Sequence, residues 1–151
     1  MTMSFQHILK SLPYAAPFLF VDGLSRLDAN GAEGYFTFQP EMDFYQGHFK
    51  ENPVTPGVIL TECCAQIGLV CLGLHLLNEE HVVLDKARIG FSSSEMEFLK
   101  PVFPGEKVTV ISKKNYFRFH KLKCEVKMYD TKGDLVCKGI LAGMLTNNKD
   151  G

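Results

Sequence analysis

The residues best suited to chemistry lie in one segment, Tyr45-Gln-Gly-His-Phe-Lys-Glu-Asn-Pro-Val-Thr-Pro-Gly-Val-Ile-Leu-Thr-Glu62. His48 sits in a glycine-flanked loop, and Pro53 and Pro56 stiffen the chain that follows. Histidine is the side chain whose ordinary pKa lets it act as a base near neutral pH. Gly57 stands just inside a predicted helix start. The first N–H groups of a helix have no intrahelical partner, and the positive end of its dipole suits a developing negative charge. A glycine there lets a ligand come close to the backbone. Glu62 falls on the second turn, about 7.5 Å further along the axis at ~1.5 Å per residue. A base, an oxyanion donor and an acid can therefore converge on one small pocket. Taken singly, a histidine beside glycine is an ordinary loop residue, and an acid near a helix start is an ordinary dipole partner. The apolar neighbours Ile59, Leu60 and Cys63 favour chemistry, because a buried acid needs a reason. Two forces compete over Glu62. The dipole favours the ionised form by up to about 2 kcal/mol. Full burial favours the neutral acid by as much as ~3–5 pKa units, so burial wins in an apolar site.

The other reactive side chains carry less. Cys71 and His75 could share a helix face, but a metal site needs more ligands than two. Cys63 or Cys64 could serve as a nucleophile with His48, yet both read as small core residues. Five cysteines without a C-x-x-C pair support neither a disulfide framework nor structural zinc. No metal and no cofactor are expected.

The elements that must position these residues can be read along the chain. The 151 residues, 46% hydrophobic and 22% charged, fit one globular domain spanning 1–151. A short amphipathic helix is predicted over 5–12, before Pro13. Phe18 to Leu27 reads as a strand, Asn30-Gly31 as a hairpin turn, and 32–39 as its partner. Thr55 is the expected N-cap and Pro56 the first residue of a long helix over 56–77, ended by Asn78. Further strands are expected within 82–97, around Val108 and Val110, over 120–128 and from Leu135 to Leu145. In the third of these, Leu122, Cys124, Val126 and Met128 alternate with Lys121, Lys123, Glu125 and Lys127, which marks a half-buried antiparallel strand. Gly139 and Gly143 suggest close backbone approach in the last one. The expected architecture is α+β, an antiparallel sheet wrapped around one long helix.

That helix is long and apolar enough to span a bilayer. Glu62 and Gln66 in its first half argue against this, since a carboxylate in hydrocarbon costs several kcal/mol. We expect no membrane insertion. The chain opens without a secretory pattern, so the cytoplasm is the expected location. A net charge of −1 gives no global basic field for nucleic acid.

Here the motif becomes specific. Gly47-His48-Phe49, then Pro53-Val54-Thr55-Pro56-Gly57-Val58, Glu62 and Ala65-Gln66, resemble the β-hydroxyacyl-acyl carrier protein dehydratases of the FabZ type. Leu12-Pro13 and Pro17-Phe18-Leu19-Phe20-Val21-Asp22 resemble that family's opening, and Lys100-Pro101-Val102-Phe103-Pro104-Gly105-Glu106 its later turn. Phe119-His120-Lys121-Leu122-Lys123 and the last strands fit its ending. The resemblance implies a hot-dog fold, dehydration of 3-hydroxyacyl carrier protein to the trans-2-enoyl form, and a catalytic pair of His48 and Glu62. It implies sites built at a homodimer interface, with His48 from one chain and Glu62 from the other, and larger assemblies of such dimers. Where the family usually carries His-Arg-Tyr, this chain has Tyr14-Ala15-Ala16. Thr55 replaces a frequent Met and is structurally neutral as a cap. The acid is Glu, not the Asp of the related dehydratase-isomerases, which favours simple dehydration.

The expected partner is an acidic acyl carrier protein, and Lys113, Lys114, Arg118, Lys121 and Lys123 form the densest basic run. They serve either as a solvated strand face or as a docking surface. Competing readings are a hot-dog acyl thioesterase, a coenzyme A-linked enoyl hydratase, or a non-enzymatic acyl-binding or carrier-binding subunit. A thioesterase lacks this His-to-Glu spacing, and a pure binder has no need of both residues.

Overall fold

The computed structural model describes residues 5–85 and 87–147; the two ends of the predicted 1–151 span lie outside the described residues. The chain forms a short N-terminal helix (Gln6–Ser11), a central helix (Gly57–Glu79) and six strands: β1 (Gly23–Asp28), β2 (Gly31–Thr37), β3 (Ala87–Phe98), β4 (Lys107–Arg118), β5 (Lys121–Tyr129) and β6 (Leu135–Asn147). The strands make one sheet in the order β1-β2-β4-β5-β6-β3, every neighbouring pair antiparallel. The sheet wraps the central helix, as the α+β reading expects.

Alternation decides which face is wet. Leu122, Cys124, Val126 and Met128 of β5 are buried against the helix, while their neighbours reach toward solvent. From the helix, Ile67, Leu69, Leu72, Leu74 and Leu77 fill the same core and are all at most 2% exposed. The helix has a mean hydropathy of 1.8 over its most apolar stretch, and most of that surface is covered by the sheet. Its apolar circumference thus faces protein, as a core helix requires. Gly139 does lie under close backbone approach: a Cβ there would collide with the Glu95 carbonyl across the β3–β6 ladder.

Several boundaries differ from the sequence reading. β1 starts at Gly23, so Phe18 to Asp22 is a loop and not part of the strand. Its polar backbone finds other partners: Phe20 N–H donates to the Gln66 side chain, which in turn donates to the Phe18 carbonyl. Pro56, not Thr55, occupies the N-cap position, and the helix begins at Gly57. The Thr55 hydroxyl is instead hydrogen-bonded to the buried Tyr45 hydroxyl. The helix runs to Glu79, past Asn78, and is π-helical over Ala65–Val70. Such wide turns often occur at functional positions.

β1 and β3 are the edges of the sheet. β3 is long, and its side chains are mostly exposed, with Phe91 and Phe98 about half so.

Candidate active site

His48 is held by its own loop. Its backbone N–H donates to Phe44 O at 3.0 Å, and Val54 N–H donates to His48 O at 2.8 Å. The ring Nδ1 lies 2.9 Å from the Val54 carbonyl, and the ring stacks on Phe49 with centroids 4.1 Å apart. A carbonyl only accepts, so Nδ1 carries the hydrogen and Nε2 is left as the free, basic nitrogen. The two prolines that flank Val54-Thr55 keep this short loop in register with the helix start.

Gly57 opens the central helix. The first intrahelical bonds are made by Ile59 and Leu60 to Pro56 O, so Gly57 and Val58 N–H precede the hydrogen-bonded turns. A Cβ on Gly57 would come 3.2 Å from the Phe98 ring. Gly57 lines a hollow with Thr55, Leu60, Phe98 and Leu99.

Glu62 is half-buried and lines a cavity of about 210 Å³ with Tyr14, Phe18, Ala65, Leu69, Val70, Ile89 and Phe91. Burial pushes its carboxyl pKa up, and the hydrogen bond from Gln66 pulls it partly back. Burial therefore outweighs the opposing influences on this acid. Gln66 is fully buried and fully used: Oε1 accepts from Phe20 N–H at 2.8 Å, and Nε2 donates to Phe18 O and Glu62 Oε2, each at 3.0 Å. It binds the acid to the Phe18–Phe20 loop. No positioning role follows for Gln66 from residue type alone. The available signal is its spacing of four from Glu62, which puts both on one helix face.

Glu62 and Gly57 line different hollows, and His48 lines neither of these two. The alternative nucleophiles are sealed off: Cys63 and Cys64 are fully buried, and burial holds the Cys63 thiol well above its ordinary pKa. The basic run falls on the β4–β5 hairpin, where Arg118 lies 4.5 Å over the Tyr116 ring, and Lys113 faces Glu125 across the ladder.

A sheet wrapped around a buried helix, with an acid on that helix facing an apolar cavity, defines a hot-dog protein with an acyl-type pocket. Solved structures support the fold. The dehydratase heterocomplex ApeI:P from Xenorhabdus doucetiae aligns with a TM-score of 0.77 at 14% identity, covering 94% of this chain and 91% of that one. A thioesterase from Haemophilus influenzae aligns with a TM-score of 0.66 at 13% identity, over 100% and 97%. The FabA-like family model matches residues 12–139, and the chain belongs to that family. It is 33% identical to the 3-hydroxyacyl-[acyl-carrier-protein] dehydratase FabZ of Sinorhizobium medicae, over 99% of this chain and 94% of that one. It is 29% identical to the enzyme of the same name from Nitratidesulfovibrio vulgaris, over 98% and 94%.

Proposed function

We propose that this chain dehydrates 3-hydroxyacyl groups on acyl carrier protein to trans-2-enoyl groups, in fatty-acid or related acyl-chain biosynthesis. The dehydratases matched over nearly their full length support the substrate class. The observation that carries the chemistry is Glu62, an acid kept toward its neutral form by burial in a largely apolar cavity.

The reaction removes a weakly acidic C2 proton and expels the C3 hydroxyl. Nε2 of neutral His48 takes the C2 proton, and its electron pair moves toward the thioester oxygen. Gly57 N–H holds that oxygen as charge develops. The charge then returns to form the C2–C3 double bond, the C3–O bond breaks, and Glu62 gives its proton to the departing oxygen, which leaves as water. Well-placed acid or base catalysis is worth about 10²–10⁴-fold per group. An oxyanion donor adds roughly 10²–10³-fold. No metal or redox cofactor is invoked.

Each site is shared, with His48 from one protomer and Glu62 from its partner. Two observations support this: His48 lines neither the hollow at Glu62 nor the one at Gly57, and β3 presents a long edge bearing Phe91 and Phe98. The basic hairpin fits an acidic carrier. A cytoplasmic location accompanies this reading.

The test is an assay with 3-hydroxyacyl carrier substrates of several lengths, using wild type, His48→Ala, Glu62→Ala and re-assembled mixtures of the two variants. Each variant alone is expected to be inactive. A mixed dimer regains one intact site of its two. A wild-type protein inactive on every length refutes the dehydratase reading, and verified mixed dimers without activity refute the shared site.

A further inference from the structure

The cavity at Glu62 contains a second polar group with no task in the fold. Tyr14 lines it, on the loop between the N-terminal helix and β1. The ring is partly buried and packs at 6.3 Å from Phe18. The hydroxyl makes no hydrogen bond to any described residue, whereas the other polar groups around Glu62 are committed: Gln66 uses both ends of its amide, and Glu62 Oε2 accepts from it. Among the described residues neither Glu62 Oε1 nor the Tyr14 hydroxyl has a hydrogen bond, and the other residues that line the cavity are apolar. The phenol also senses the acid. Its pKa is held up at about 12, first by burial and then by the Glu62 charge, so it stays protonated at any working pH.

We propose that Tyr14 is a substrate-contacting residue whose hydroxyl donates a hydrogen bond to the C3 oxygen of the substrate, opposite the proton that arrives from Glu62. This rests on the dehydratase reading of the site and adds a second hand on the departing group. Glu62 Oε1 still supplies the transferred proton. Tyr14 transfers none: it stabilises the oxygen while the C3–O bond breaks and holds the resulting water. The same contact sets specificity, because a donor in an apolar cavity favours a chain with an oxygen at C3 over one without.

Tyr14→Phe tests this, since it removes one unbonded oxygen and leaves the ring in place. Wild type and variant are compared for dehydration of a 3-hydroxyacyl carrier substrate and for inhibition by the saturated acyl carrier of equal length. The expected result is a roughly tenfold loss of kcat/KM for the hydroxyl substrate. The inhibition constant of the saturated chain should stay within about twofold, and the melting temperature within about 2 °C. Equal losses for both ligands, or none for either, would overturn the contact. A wild-type protein without dehydratase activity would instead fail the underlying reading, so the two failures are distinct.

Discussion

Replacing Gln66 by Met should weaken the fold and shift the pH profile together. Met matches Gln in length and approximate volume, so packing changes little. What is lost is three hydrogen bonds. Phe20 is 1% exposed, and its N–H would be left without a partner at a cost of about 1–3 kcal/mol. Phe18 is 46% exposed, so its carbonyl can turn to water at little cost. The bond to Glu62 ends on a half-exposed carboxylate and is screened, which limits it to about 1 kcal/mol. The sum is roughly 2–4 kcal/mol, which for a chain of this size lowers Tm by about 4–16 °C. The second effect concerns protons. In dehydration Glu62 must carry its proton, so activity falls as pH rises through its pKa. Gln66 is the group that pulls that pKa down against burial. Without it the pKa rises, and the alkaline limb of the activity profile moves to higher pH. Stability follows the same sign. A carboxyl whose pKa is raised in the fold stabilises most below its unfolded value, and that contribution is lost as pH rises toward the folded one. In Gln66→Met the decline should extend to higher pH. Scanning calorimetry and a kcat/KM profile measure both. An unchanged Tm with an unmoved alkaline limb would refute the role of Gln66.

Three further outcomes are expected. Gly57→Pro removes the proposed oxyanion donor at a helix position where proline is tolerated, and Pro56 before it already has the extended ψ of 141° that proline requires. Steady-state kinetics should show kcat down by about 10²–10³ while circular dichroism changes little, since the half-exposed Phe98 ring can turn away from the contact at 3.2 Å that a Cβ makes there. Thiol-specific reagents should leave the native protein unlabelled and active, because all five cysteines are buried and Cys71 is pushed up to about 12 by burial; labelling should follow unfolding. Asp130→Asn should lower Tm, since Lys100 Nζ lies 2.6 Å from Asp130 and 2.8 Å from Asp134 across the β5–β6 turn. The Lys100 bond holds the Asp130 carboxyl below its ordinary pKa, so this stability is present above the unfolded value and lost as pH falls; an acid titration of Tm should be flatter in the variant.

Patterns that depend on local physics were legible in the sequence. The period-two alternation of Leu122 to Met128 and the apolar run after Gly57 appear where expected, while the first hairpin turns one residue earlier than expected, on Ala29-Asn30, because Gly31 already pairs with Asp28. The errors arise where a tertiary partner replaces a local one. Phe18–Asp22 has strand-like composition, but Gln66, 46 residues from Phe20, supplies the hydrogen bonds a neighbouring strand would have made. Thr55 has the chemistry of a cap, but Tyr45 takes its hydroxyl. The π-helical turn over Ala65–Val70 leaves no compositional mark, since those residues suit an α-helix equally well. For the site, His48 and Glu62 stood out by type and neighbours. The cavity wall that Tyr14 gives to Glu62 depends on a loop returning to the helix, which no spacing along the chain encodes.

The central helix also imposes an order of events during synthesis. Its last residue is Glu79, and the final strand that sheathes it ends at Asn147. At roughly 5–20 residues per second, the segment waits about 3–14 s for its cover to be made. At the start of that interval only the N-terminal helix, β1 and β2 have been made, and by hydropathy alone the segment would qualify for insertion into a bilayer. Glu62 and Gln66 weigh against that fate, since ionisable and polar side chains within such a segment are costly in hydrocarbon. The acid at the cavity and the amide bonded to it thereby also bias the nascent chain toward water until the sheet closes over the helix.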